Sequence, residues 1–169
     1  MRGRTVIAAA AMLGLSGVAL AAPAYAVSTP GQSAGVVTYV VAGGGKGVEP
    51  NFGPFTFAGT VVAGGNVYAG TFSGPGGSYN GVILPFPVSG STAGQTLSGT
   101  CSLHDELVVN SPVFIVLGYA MPCSLAINGA PAAPVTLHLV NPLVGVSSPD
   151  GSQVTVVNVY TGVDPTTLP

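Results

Sequence analysis

The chain has 169 residues, of which 26 are glycine and 15 proline, and a formal net charge of −2 at pH 7. That much glycine and proline excludes long helices, and an apolar fraction of 47% excludes a disordered chain. Beyond Arg2 and Arg4 the only basic side chain is Lys46, against Glu49, Asp105, Glu106, Asp150 and Asp164. Nucleic acid and anionic lipid, which are held by Lys and Arg, are thereby excluded as electrostatic partners.

Residues 1–26 read as a cleavable export signal. Arg2 and Arg4 form a positive start, residues 6–22 are apolar and uncharged, and Ala24-Tyr25-Ala26 fits the A-x-A cleavage rule. This segment is expected to be helical before removal and to say nothing about the mature fold. Arg2-Gly3-Arg4 is not a twin-arginine pair, which points to the general secretory route. The mature protein is then secreted, free or associated with the cell wall, with no membrane attachment after cleavage. Residues 27–34 form a polar lead-in, and 35–169 make one all-β domain.

Within the lead-in, GQSAG at 31–35 matches the hydrolase pattern G-x-S-x-G, which needs a strand before it and a helix after it. A β-type run, 36–42, follows instead, so no nucleophile is expected at Ser33. That run is apolar on both faces and should be a buried strand. The stretch 43–47, GGGKG, is a flexible connection and not a phosphate loop, because Lys46 is followed by glycine.

The stretch 55–73 organises the domain. The pattern apolar-small-Gly-Thr-apolar occurs at 57–61, 68–72 and 97–101. Gly64-Gly65 between two β-prone runs signals a two-residue hairpin turn, since both central residues need positive φ. This register opposes Phe57 to Phe72, Gly59 to Gly70 and Val61 to Tyr68, all on one face. Thr56, Ala58, Thr60, Ala69, Thr71 and Ser73 lie on the other. Opposed mid-strand glycines mark a sharp bend, a space filled by aromatics from elsewhere, or a ligand groove lined by Phe57, Gly59, Tyr68, Gly70 and Phe72.

A Gly-rich loop, 73–80, leads to a strand at 81–88. Val82, Leu84, Phe86 and Val88 share one face there, and Pro85 and Pro87 assign it to a sheet edge. In 95–103, Leu97, Gly99, Cys101 and Leu103 alternate with Thr and Ser. The remaining strands are 113–119, 122–128, 135–140 and 153–160, with a turn at Asn128-Gly129. Roughly nine short strands at turn-punctuated spacing read as a single antiparallel β-sandwich or β-barrel.

Cys101 and Cys123 fall on the apolar faces of their strands. In an exported chain with two cysteines, they are expected to form one disulfide. His104-Asp105-Glu106 is the one dense ionisable cluster and reads as a solvated loop tip. With His138 or Asp150 it could hold Zn²⁺ or Ca²⁺. His138, opposite Leu137 and Leu139, reads as a surface histidine. No catalytic constellation and no cofactor follow from these residues.

The Ala-rich leader, the GGNVYAGTF hairpin and LSGTCS resemble small secreted proteins of actinobacteria of uncharacterised function. The resemblance implies export and a β-fold and carries over no functional residue. The leading expectation is a non-catalytic envelope or secreted module, structural or partner-binding, with self-association among the options. A barrel carrying a small ligand comes second, and a metal-assisted hydrolase around His104 third. Secreted protein is expected to begin at Val27; N-terminal sequencing that recovered Met1 on membrane-bound material would overturn the cleavage and the localisation together.

Overall fold

The computed structural model describes residues 31–111 and 114–164. The leader, the first part of the lead-in and residues 165–169 lie outside the described residues. Ten strands follow one another: β1 Ala34–Ala42, β2 Asn51–Ala63, β3 Asn66–Gly74, β4 Gly77–Ser78, β5 Val82–Thr92, β6 Gln95–Ser111, β7 Phe114–Ile127, β8 Ala130–Pro131, β9 Val135–Ser147 and β10 Gln153–Thr161. Eight of them close into an antiparallel barrel in the order β1-β2-β3-β5-β6-β7-β9-β10, with β10 pairing back to β1. Each long strand lies beside its predecessor, so the barrel is a meander. The short strands β4 and β8 pair on its margin, with β2 and β7. Closure settles the choice between sandwich and barrel: β1 and β10 pair without interruption from Ala34↔Thr161 to Ala42↔Gln153. Among the described residues no helix is long and apolar enough to cross a membrane.

The central hairpin has the expected register. Gly64 and Gly65 both take positive φ, and Ala63↔Asn66, Val61↔Tyr68, Gly59↔Gly70 and Phe57↔Phe72 are partners. Phe57, Val61, Tyr68 and Phe72 are buried in the interior, while Thr56, Ala58, Ala69, Thr71 and Ser73 are exposed. The opposed glycines extend into a row across three strands, because Gly35 of β1 also opposes Gly59. Tyr160, the partner of Gly35 on β10, lies over that row. A Cβ on Gly35 would sit 2.6 Å from the Tyr160 hydroxyl, and one on Gly59 would sit 2.7 Å from it. The missing side chains therefore leave the volume into which a fully buried tyrosine packs.

The five residues named as a ligand groove consequently line no groove. Tyr160 fills the space over Gly59, and the Tyr68 hydroxyl leans over Gly70 to donate to the Thr71 carbonyl at 2.6 Å. Around them the rings of Phe57 and Phe72 stack at 4.4 Å, Phe55 and Phe86 at 5.6 Å, and Tyr39 and Phe55 at 5.0 Å. An eight-stranded barrel is just wide enough for side chains to fill it, and these rings are its filling.

Several elements depart from the sequence reading. The 81–88 strand carries a bulge between Ile83 and Phe86, where two residues oppose one on β6. The inward set is therefore Ile83, Phe86 and Val88, and Val82 and Leu84 are exposed. Pro85 and Pro87 are tolerated because β3 pairs with β5 only at Phe72↔Gly90 and Ser73↔Ser89. Further along β3 the Gln95 side-chain amide takes over, accepting from Ala69 N and donating to Val67 O at 2.6 Å. The Gly-rich loop contains β4, and the runs 113–119 and 122–128 belong to one strand, β7. Ser33 of the GQSAG motif is buried, and its hydroxyl accepts from Val62 N at 2.8 Å, tying the lead-in to β2.

The glycine row gives a stability test. Gly59 has φ of 147° and backbone atoms of β1 within 2.7 Å of a would-be Cβ, so Gly59→Val should cost about 2–5 kcal/mol. Gly70 also has positive φ, 155°, but its nearest atoms belong to the Thr92 and Tyr68 side chains at 3.1–3.3 Å rather than to backbone, and Gly70→Val should cost less, about 1–3 kcal/mol. Thr60→Val, on the outer face, should be near neutral. Thermal unfolding of the three variants checks the order; a Gly59→Val protein as stable as the parent contradicts the packing.

Candidate functional site

His104, Asp105 and Glu106 are not a loop tip. They lie within β6, which continues to Ser111, and alternation sends them to different places. Asp105 opposes Tyr119 on the inner face at one mouth of the barrel, where the Tyr79 hydroxyl donates to its carboxylate. Phe52 closes this mouth, with Tyr79 at 4.6 Å and Tyr119 at 5.8 Å, and Tyr39 stacks beneath it. His104 faces outward and is exposed; its Nδ1 lies 3.0 Å from the Asp105 carbonyl. The three residues therefore cannot share one metal.

Glu106 also faces outward and finds a different partner. His138 of β9 sits with Nδ1 at 2.8 and 2.7 Å from its two carboxylate oxygens. The two strands are not adjacent, because β7 runs between them. Glu106 opposes Gly118 and His138 opposes Ala120 on that strand, so the pair reaches across β7 where its outward residues are small. His138 is 7% exposed, which corrects its reading as a surface histidine. Its face is outward as expected, but Glu106 and the chain after β10 cover it. Asp164 follows three residues after β10, and ligand atoms of Glu106, His138 and Asp164 lie within 4.8 Å of one another. Among the described residues this is the grouping able to hold a metal ion.

Asp150 takes no part. It caps the β9–β10 turn, accepting from the Ser148 hydroxyl at 2.6 Å and from the Ser152 hydroxyl and N–H. Those bonds, Ser148 foremost, lower its pKa to about 2.

Cys101 and Cys123 form the expected disulfide, and no cysteine is free among the described residues. They are direct partners on the inner faces of β6 and β7, 1% and 3% exposed. The bond closes a loop with a separation of 22 residues. In the chain-entropy account that stabilises by about 3 kcal/mol.

Comparison with protein-family models, with curated proteins and with solved structures gives no match.

The sequence alone did not bring Glu106 to His138. The signal was available in the register: two hairpins carried through 104–106 and 118–120 place positions 106 and 138 on either side of β7. Reading the charged triplet as a turn broke that chain of pairing.

The buried rings give a titration test. All five tyrosines of the described residues, Tyr39, Tyr68, Tyr79, Tyr119 and Tyr160, have raised pKa values, in each case first through burial. At Tyr79 the bond to Asp105 adds to it. A raised phenol contributes stability that is complete below the unfolded value near 10 and is lost as pH rises through the folded one. Alkaline titration at the phenolate band should therefore show no ordinary tyrosine step near pH 10, with ionisation coinciding with loss of β-structure. A reversible step near pH 10 in folded protein contradicts the packing of the mouth.

Proposed function

We propose that the protein is a secreted, non-catalytic β-barrel module of the envelope or the surrounding medium, acting through its outer surface and associating with further copies of itself. The observation that carries this reading is the interior. Aromatic rings in contact, most of them stacked, run from Tyr79 and Phe52 at one mouth through Tyr39, Phe55 and Phe57 to Phe72 and, edge-on, Tyr68. A barrel so filled keeps recognition for its outside.

A contact region on that outside follows from the ladders. The last β6 residue paired to β5 is His104, and the last β7 residue paired to β9 is Tyr119. Past these points β6 and β7 continue as a two-stranded arm, pairing with each other as far as Ser111↔Phe114. In sequence this stretch is apolar at 107–109 and at 114–117. A lone two-stranded ribbon is marginal in water and gains stability by pairing or packing with further surface. The low charge of the chain offers little repulsion between copies.

A small-ligand carrier is the second reading. It is favoured by Asn158, 3% exposed on the inner face beside Val37, whose Oδ1 has no hydrogen-bond partner among the described residues. The third reading, a hydrolase around His104, loses support because His104, Asp105 and Glu106 part company.

Light scattering and native mass spectrometry of the secreted protein separate these. We expect an oligomer, converted to monomer by Val109→Lys with the thermal transition of the barrel unchanged. A wild-type monomer at high concentration, indistinguishable from Val109→Lys, overturns the association; a bound mass released only on unfolding transfers the reading to the carrier.

A further inference from the structure

Two asparagine–glycine pairs occur in the chain, Asn80-Gly81 and Asn128-Gly129, and both asparagines are exposed. A carboxamide followed by glycine is open to attack by the next backbone nitrogen, because glycine has no Cβ to hinder the approach. The fold treats the two pairs differently.

Asn128-Gly129 is locked. Its residues take φ of 53° and 75° in the tight turn between β7 and β8. Asn128 donates its N–H to the Thr96 carbonyl, and its Oδ1 accepts from the Thr96 N–H, both at 2.8 Å. Swinging the carboxamide onto Gly129 N would break the second bond and twist the turn. Asp150-Gly151 could close the same ring but is held as well. Its carboxylate accepts from Ser148 and Ser152, which keeps it ionised and a poor target for a nucleophile.

Asn80-Gly81 stands in a bend between β4 and β5, at the mouth closed by Phe52. Gly81 has φ of 95°, and a Cβ there would meet nothing within 4 Å, so the space around this joint is open. The ties lie on either side of Asn80. Before it, Tyr79 donates its N–H to the Pro50 carbonyl at 2.8 Å and its hydroxyl to Asp105; after it, the Gly81 carbonyl accepts from Asp105 N at 3.4 Å.

We propose that Asn80 is a self-modification site, converting in the folded protein to aspartate and isoaspartate, and that the conversion loosens the strap 77–81 from the mouth. Gly81 N gives its proton to solvent base and bonds to Asn80 Cγ. The Cγ–Nδ2 bond breaks, and ammonia leaves with a proton from water. The succinimide so formed takes up one water. Opening at Cγ restores the backbone with an aspartate; opening at the main-chain carbonyl leaves the backbone running through Cβ and Cγ as isoaspartate. Water is the one co-reactant. Either product places a carboxylate one residue from Tyr79, whose hydroxyl already bonds the Asp105 carboxylate, and like charges repel. Isoaspartate also inserts an extra backbone atom between the two ties, which cannot then both be kept.

The test is timed incubation of the folded, disulfide-intact protein at mildly alkaline pH, followed by peptic digestion in acid, peptide mapping by mass spectrometry and enzymatic methylation of isoaspartate. We expect a gain of one mass unit and methylation at Asn80, faster as pH rises, while Asn128 stays an amide. In reduced, denatured protein both sites should convert. Amide hydrogen exchange across 77–84 should be faster in the aged protein than in the fresh one. Asn80→Gln, incubated alongside, should show neither the mass gain nor the faster exchange. An Asn80 that stays an amide in the folded protein, or an Asn128 that converts as fast there, overturns the site. Exchange across 77–84 unchanged by conversion overturns the loosening.

Discussion

The barrel rests on one tyrosine laid over a row of glycines. Gly35 and Gly59 face each other across β1 and β2, Gly70 continues the row on β3, and Tyr160 enters from β10 over the first two. Burying a ring of that size contributes about 2–3 kcal/mol. It does so at the seam where the sheet joins its own beginning. The constraint is reciprocal: no side chain can be added at Gly35 or Gly59 without displacing the ring, and without the ring the glycines would leave a hole. The inward aromatics, the unbroken β1–β10 ladder and the closed mouth follow from that fit.

Closure also divides the labour between the two surfaces. Inside, aromatic and aliphatic side chains, together with the disulfide, make a packed core. Outside, the strands carry mostly hydroxyl and small residues, so the few ionisable groups stand out. Two of them, Glu106 and His138, are held where the outer wall is low because Gly118 and Ala120 lie between them. The same place is the root of the β6–β7 arm.

The hairpin was legible in the sequence because its turn is local: Gly64-Gly65 sets the pairing, and alternation then assigns every side chain to a face. The disulfide was legible for a similar reason, with each of the two cysteines of the chain on an apolar face. Closure was not, since it depends on Ala34 meeting Thr161, and no local pattern reports a pairing of that span. The face of β5 was misread because the bulge at Leu84-Pro85 inserts a residue and shifts the alternation. The charged triplet on β6 was misread because three polar residues resemble a turn; in a barrel strand they are divided between mouth and wall.

The meander has a bearing on how the chain reaches this form. Every ladder but one among the eight long strands joins successive members of the meander, so hairpins can assemble one after another. The exception joins the first strand to the last. Until residues 153–161 arrive, β1 keeps an open edge, and the glycine row is bare backbone facing water. Low contact order favours rapid zippering of the early strands, while the exposed edge invites pairing with another chain. The last strand of the chain is therefore the one that ends the period of vulnerability, and it brings with it the tyrosine that the first strands were shaped to receive.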